Sequence, residues 1–342
     1  MKRILIITVL AAMLLSAVSC SRKKAYGEQF TVDVLNKYTP VKNQNDNPVC
    51  WAYAMLAAIE TEHIMRGDSV NLSVDYAVRA ALEESYNYSY LSRGARPVSM
   101  RGTSMRLIDL IMARGIVAYD AYRCKDYVNV PVIARKVERI ALGAANSGAG
   151  LERGRRLADQ LLDESLGYKP QRVFMLGAEY TPQEFARSVC APDEYVALTS
   201  FTHHPFFTSF ELEVPDNVNH DLFYNVPIDT LMERMVSAVR GGRGVCWEGD
   251  ISEPGFSFKR GVALLPEGTK VTQASRQRDF ERFATTDDHC MAVVGLAHDS
   301  RGRRFFIMKN SWGTANPYGG LMYVAEDYVR LKTVAVVMSR GQ

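Results

Sequence analysis

The order of the predicted elements constrains the fold of this 342-residue chain more than any other feature. Apolar residues recur at helical spacing through much of residues 50–240, and short β-type runs separated by Gly, Asp and Pro follow. The predicted strands are residues 244–251, 261–266, 289–299, 303–313 and 320–326. Helices first and strands last are typical of an α+β fold, in which a helical half and an antiparallel β half meet at a cleft.

The helical part divides at residues that commonly cap helices. One helix is predicted from Cys50 to about Arg66. Two more are predicted in residues 72–84 and 104–115, each opened by a Ser that can cap it. The Arg-, Ala- and Leu-rich stretch that follows predicts a largely helical insertion at about residues 130–225.

Composition argues against several classes of partner. A net charge of +3 gives no reason to expect binding to nucleic acid or to an anionic membrane surface. The 47% of hydrophobic and 23% of charged residues are ordinary for a globular protein. His203, His204 and His220 have generic spacing, and no Cys/His pattern suggests zinc, so we predict neither a metal nor a cofactor.

The first twenty residues resemble a bacterial lipoprotein signal. Lys2 and Arg3 precede a short apolar run, and small residues lead into Cys20. We expect Cys20 to become the lipidated N-terminus, residues 21–37 to form a flexible tether, and residues 38–342 to fold as one domain. An ordinary signal peptide that contains a Cys is the alternative. The predicted location is the bacterial cell envelope, periplasmic or surface-exposed, with the lipid at Cys20 as the membrane contact.

Cys50 stands where a polar loop changes into a helix. We expect Asn47 to cap this helix and Pro48 to take its first position, which places the thiol at the positive end of the helix dipole. A thiol with an ordinary pKa of about 8.5 needs such help to become a nucleophilic thiolate. Gln44, six residues earlier, carries an amide that can hold an oxyanion together with the backbone N–H of Cys50.

A nucleophilic thiol also needs a base, and one predicted strand offers two candidates. His289 opens the strand of residues 289–299, and His298 lies at its other end. Asn310 follows the next strand, and a hairpin brings the start of one strand beside the end of its partner. His289 is therefore the predicted base, Asn310 the residue that orients it, and Trp312 the cover of their hydrogen bond.

These stretches, "QNDNPVCWAYA", "HCMAVVG" and "NSWGT", resemble the papain-like cysteine peptidases. The resemblance implies a nucleophile at Cys50, a base at His289, an orienting Asn310 and an oxyanion donor at Gln44, acting on a peptide or protein. The long gap between Cys50 and His289, and phrases such as "GVCWEGDI", are more similar to the bleomycin hydrolase or aminopeptidase C branch. The alternatives are a catalytically inactive binding module of the same fold and a related amidase or acyl transferase.

Two features depart from that branch. Its Gly-Gly ledge, which contacts the substrate chain, corresponds here to "MRGTSM". The resemblance therefore implies substrate contacts from Gly102, with Thr103 as its neighbour, and from Trp312. The C-terminal arm that restricts bleomycin hydrolases to aminopeptidase work is expected to be absent, because "VAVVMSRGQ" soon follows the last predicted strand. Endopeptidase and aminopeptidase activity, and the oligomeric state, stay open at this point.

Overall fold

The computed structural model describes residues 30–124, 126–175 and 177–340. The predicted signal, Cys20 and the first part of the predicted tether lie outside the described residues. The helices are α1 (Cys50–Arg66), α2 (Val74–Leu91), α3 (Ser104–Arg114), α4 (Val130–Ser147), α5 (Leu151–Leu166), α6 (Pro182–Val189), α7 (Ile228–Arg240), α8 (Gln273–Glu281) and α9 (Glu326–Lys332).

The strands belong to one large mixed sheet and one small hairpin. The strands are β1 (Phe30–Leu35), β2 (Val173–Met175), β3 (Ala178–Tyr180), β4 (Tyr195–Thr199), β5 (Ser209–Glu211), β6 (Leu222–Asn225), β7 (Val245–Gly249), β8 (Phe256–Ser257), β9 (Val262–Ala263), β10 (His289–Asp299), β11 (Arg304–Lys309), β12 (Leu321–Ala325) and β13 (Thr333–Ser339). The large sheet has the order β5-β6-β4-β13-β7-β10-β11-β12-β9-β8, β1 pairs with β10, and β2 pairs with β3.

Strand β10 lies in the middle of the β half and pairs with three other strands. Its first part pairs antiparallel with β7, its last part with β1, and much of its length with β11. The predicted hairpin between β10 and β11 is confirmed, with Gly302 in the left-handed region at φ 77° and its N–H bonded to the Asp299 carbonyl at 2.9 Å. This hairpin sets the end of β11 beside the start of β10, as the strand pattern predicts.

Helix α1 lies between the two halves. Its residues from Trp51 to His63 are buried, apart from the partly exposed Tyr53. The stretch from Trp51 to Ile59 is apolar on all sides, as is typical of a core helix, and buried polar residues follow it at positions 60–63. Most of its buried side chains join a core shared by the helices and one face of the sheet, whereas Ala57 joins the core around Trp247 and α7. The N-terminus of α1 therefore opens at the junction of the halves, and the predicted α+β architecture is confirmed.

Two boundaries differ from the sequence prediction. Residues 30–35 are not part of a flexible tether: they form β1, which pairs with the free edge of β10, and the Phe30 ring stacks on Tyr323 with centroids 4.2 Å apart. The insertion of residues 130–225 is helical only in its first part, because β4, β5 and β6 extend the sheet beyond the fully buried β13. Through the described parts of the chain, none of the helices combines the length and apolarity that crossing a bilayer requires.

Candidate active site

Cys50 is the first residue of α1, so its thiol lies at the electropositive end of the helix. The predicted cap is wrong, because Val49, whose side chain cannot accept a hydrogen bond, is the N-cap, and Pro48 lies outside the helix. The amide of Asn47 serves another segment instead. Its Oδ1 accepts the N–H of Val130 at 2.9 Å and its Nδ2 donates to the Val128 carbonyl at 2.9 Å. Asn47 thus fastens the loop to the start of α4.

Backbone hydrogen bonds with the segment after β11 hold Gln44 at the cleft that Cys50 lines. The Gln44 N–H donates to the Ser311 carbonyl at 2.8 Å, and the Gly313 N–H donates to Lys42 at 3.1 Å. The Gln44 Nε2 atom donates to the Asn47 carbonyl at 2.8 Å, and the Ser311 hydroxyl donates to its Oε1. Those two bonds fix the carboxamide and leave its second N–H for the cleft. The first N–H groups of a helix have no intrahelical partner either, so the N–H of Cys50 is a second donor.

His289 stands at the first position of β10 and is almost fully buried. Its Nε2 lies 2.8 Å from the Oδ1 of Asn310, and the same oxygen accepts the N–H of Ser311 at 2.7 Å. Because the Ser311 N–H can only donate, this atom of Asn310 must be the carbonyl oxygen, and Nε2 of His289 must carry a proton. The other ring nitrogen, Nδ1, is then the atom that can exchange a proton with Cys50.

Trp312 covers the hydrogen bond between His289 and Asn310, as predicted. The indole and imidazole centroids lie 4.7 Å apart with an interplanar angle of 32°. Phe256 and Phe258 contact the indole edge-on, which holds it over the imidazole. An apolar cover keeps water from competing for the hydrogen bond, and such a bond is stronger where the local dielectric is low.

The electrostatic environment distinguishes Cys50 from the other described cysteines. The hydrogen bond from the Cys290 thiol holds the pKa of Cys50 well below its ordinary value, and the hydrogen bond and charge of His289 lower it further, although burial raises it. Burial raises the pKa of Cys124 and of Cys190 to about 12, and that of Cys246 well above the ordinary value. Cys50 is therefore the one described thiol whose pKa is lowered, as a nucleophile requires.

The contact between Cys290 and Cys50 is not predicted from the sequence. The hydrogen bond to Cys50 is also the main cause that raises the pKa of Cys290 well above its ordinary value, so Cys290 keeps its proton and donates it. Cys290 directly follows His289 at the start of β10, and this position in the sequence could have indicated its contact with Cys50.

A cleft of about 930 Å³ opens over Cys50, and Gln44, His289 and Trp312 line it. Arg101 also lines it, whereas Gly102 and Thr103 are buried and do not belong to its lining. Substrate contact by Gly102 and Thr103 therefore stays a prediction.

Two other groups of histidines lie away from this cleft. His298 is at the far end of β10, where its Nδ1 lies 2.8 Å from a carboxylate oxygen of Asp33. Ligand atoms of His203, His204 and Glu213 lie within 4.8 Å of one another, as a metal site would require. In this group, however, the Nδ1 of His203 accepts from the Gln277 amide at 2.9 Å, so its Nε2 carries the proton and is directed at Glu213. A protonated nitrogen cannot bind a metal, so we assign none here.

A helix-start thiol facing a buried imidazole and a carboxamide is the arrangement of a cysteine-dependent hydrolase. The sequence profile of the Peptidase C1-like family matches residues 169–341, half of the chain, and the chain belongs to this family. The fold is papain-like. PepW from Lactobacillus rhamnosis HN001, whose crystal structure was determined as the selenomethionine derivative, superposes with a TM-score of 0.70 at 16% identity. That superposition covers 91% of this chain and 82% of PepW.

Two curated relatives are aminopeptidases of Lactobacillus delbrueckii subsp. lactis. Aminopeptidase W is 24% identical over 269 residues, which are 74% of this chain and 60% of that protein. Aminopeptidase G is 24% identical over 160 residues, which are 43% of this chain and 36% of that protein. The chain therefore matches less than two thirds of the length of either relative. Together with the family, the relatives support a peptidase.

Proposed function

We propose that the protein is a cysteine peptidase whose nucleophile is Cys50. The observation that carries this proposal is the lowered pKa of Cys50, at the start of a helix, against the raised pKa of every other described cysteine. A thiol that is only packed in a core gains nothing from an imidazole and a helix N-terminus, whereas a nucleophile needs both.

The reaction follows from the geometry. The Cys50 thiolate attacks the carbonyl carbon of the substrate, a C–S bond forms, and the carbonyl electrons move to the oxygen. Collapse of this intermediate breaks the C–N bond, and the amine leaves with the proton from Nδ1 of His289. Water then attacks the thioester, gives a proton to His289, and releases the acid and the thiolate. Throughout, Asn310 accepts the Nε2–H of His289 and keeps the ring in place.

Gln44 is the side-chain donor for the oxyanion in this scheme. Its Nε2 is already fixed by the bond to the Asn47 carbonyl, so its second N–H needs no reorganisation when charge develops. The N–H of Cys50 supplies the second donor from the first turn of α1.

The proposal is tested with fluorogenic peptides and a thiol-directed epoxide. Wild-type protein should hydrolyse peptides and take up one epoxide per chain at Cys50, whereas Cys50→Ser should do neither. Cys124→Ser is the matched control, because Cys124 is also partly exposed but has a raised pKa; it should keep both properties. Full activity in Cys50→Ser would refute the proposal.

We further propose that the protein belongs to the bleomycin hydrolase branch and that it carries a lipid anchor at Cys20. The two aminopeptidase relatives favour aminopeptidase activity, and hydrolysis of peptides with free rather than acetylated N-termini would support it. For the anchor, bacterial cells that produce the protein are given a clickable fatty acid. Wild-type protein should be labelled and found in the membrane fraction, and Cys20→Ala should be neither. A labelled Cys20→Ala variant would refute the anchor.

A further inference from the structure

Three carboxyl groups from distant parts of the chain converge on Cys50. They belong to Asp216 in the loop between β5 and β6, Glu248 in β7 and Asp287 just before β10, and are called the acid pocket here. The charge of Cys50 acts on the pKa of each of them. Asp216 and Asp287 also line the same cleft as Cys50, whereas Glu248 is fully buried.

Glu248 is fully buried, and only one of its two carboxylate oxygens has a hydrogen-bond partner among the described residues. Its Oε1 accepts the N–H of Ser104 at 2.6 Å, at the start of α3. Its Oε2 is shielded from solvent and has no hydrogen-bond partner within the described residues. Burial raises the pKa of Glu248 to about 7, since a buried carboxylate with an unpaired oxygen is costly. A positively charged group beside Oε2 would remove that cost.

Asp287, which lines the cleft, also has a carboxylate oxygen without a hydrogen-bond partner among the described residues. It lines the cleft and is partly exposed, so a ligand in the cleft can reach it. Its Oδ2 is shielded and, over the described parts of the chain, unpaired. Burial and the charge of Glu248 raise the pKa of Asp287 well above its ordinary value. Glu248 and Asp287 therefore each carry a shielded carboxylate oxygen without a hydrogen-bond partner among the described residues, and the charge of Glu248 acts on Asp287.

No Lys or Arg among the described residues forms an ion pair with Glu248 or Asp287. Among the described residues that line the cleft, Arg101 is the one Lys or Arg. It is already ion-paired with Asp216 and is 56% exposed at the rim. Arg101 can balance one carboxylate of the acid pocket. The raised pKa of Glu248 and of Asp287 shows that ionising these two groups is costly while no cation lies beside them.

We propose that the acid pocket binds a positively charged group of the substrate, an ammonium or a guanidinium, within a residue or two of the bond that Cys50 attacks. The inference rests on the proposed peptidase function and specifies its substrate class. A cation there gives the carboxylate of Asp287, which lines the cleft, a charge-assisted hydrogen bond, and its charge stabilises the ionised form of the buried Glu248. An apolar group in the same place does neither, and sites with unpaired buried polar groups discriminate strongly. The cation can come from a Lys or Arg side chain or from a free α-amino group.

The pocket should also make substrate binding depend on pH. A bound cation favours the ionised form of Glu248 and Asp287, so protonation below about pH 7 competes with binding. The KM of a cationic peptide should therefore rise as the pH falls through 7, and the KM of an uncharged peptide should not share this rise. The other titratable groups that face the two carboxyls are Asp216, Asp288, Arg101, Cys50, Cys246 and Cys290.

The experiment compares matched peptides. Acetylated peptides carry Lys or its uncharged acetyl-lysine analogue at each of the two residues before the scissile bond, and a separate pair differs only in a free or acetylated N-terminus. We expect kcat/KM to be at least tenfold higher for the charged member of one pair, and that pair identifies the source of the cation. In Glu248→Gln and Asp287→Asn this ratio should fall at least tenfold. Thermal unfolding checks that each variant is folded.

The control variant is Asp46→Asn, which removes an equal charge from an exposed acid that lines the cleft outside the acid pocket. It should keep the charged-to-uncharged ratio. Equal hydrolysis of charged and uncharged peptides by the wild type, or an equal loss in Asp46→Asn, would overturn this inference and leave the peptidase proposal standing. No hydrolysis of any peptide, together with no epoxide at Cys50, would overturn both.

Discussion

Replacing Glu248 by Gln should stabilise the folded protein at pH 8. In the folded state burial raises the pKa of this carboxyl from its ordinary value of 4.5 to about 7. Between those two values the folded protein binds more protons than the unfolded chain, so stability falls as the pH rises through that window. Gln keeps an oxygen for the N–H of Ser104 and carries no charge. The variant removes the ionisation and the cost that comes with it.

The size of the effect follows from the shift in pKa. A difference of about 2.5 pH units corresponds to roughly 3 kcal/mol in the free energy of unfolding, present in full above about pH 7. With an unfolding entropy of about 2.1 cal/mol/K per residue, this raises Tm by about 4 °C for a chain of 342 residues. At pH 4.5 and below, both states bind the proton and the gain should vanish.

Calorimetry at pH 4.5 and pH 8 measures this difference directly. Glu267→Gln, a change at an exposed acid, is the control and should alter Tm at neither pH. A Glu248→Gln protein that is less stable than wild type at pH 8 would refute the reasoning, because it would mean that the carboxylate is well satisfied. An equal gain at both pH values would point to packing in place of charge.

Three further substitutions test the site itself. His289→Ala should lower kcat by roughly 10²- to 10⁴-fold through loss of the acid–base group, whereas His298→Ala, at the exposed end of β10, should leave kcat/KM unchanged in the same assay. Gln44→Ala should lower kcat by roughly 10²- to 10³-fold without moving the acid limb of the pH–rate profile, since it removes an oxyanion donor. Cys290→Ala should raise the pKa of Cys50 and move that limb to higher pH, as the pH dependence of alkylation will show; an unmoved limb would contradict the assigned hydrogen bond.

The sequence predicts the parts of the fold that depend on local pattern. Helix α1 is found at the predicted residues, from Cys50 to Arg66. The β10–β11 hairpin also follows from its turn. Because that hairpin fixes which end of β10 meets β11, the approach of His289 to Asn310 follows from the pattern too.

What the sequence does not predict depends on distant partners. Asn47 has the right type and place to cap α1, but buried backbone groups at residues 128–130 bind its amide instead. Strand β1 has alternating apolar and polar residues in "FTVDVL", a usable signal, but its place depends on an open edge of β10. The acid pocket has no local signal, since its three residues come from separate loops and strands.

The acid pocket disfavours ionisation of the neighbouring Cys50 thiol, and this cost is evidence about the function of the pocket. Three carboxylates near a sulfur disfavour its ionisation, since like charges repel. The hydrogen bond of Cys290 and the hydrogen bond and charge of His289 outweigh the effect of burial and keep the pKa of Cys50 low. A site that needed only a reactive thiolate would be simpler without the carboxylates. Their presence at a cost to both stability and ionisation is explained if the substrate supplies the missing positive charge.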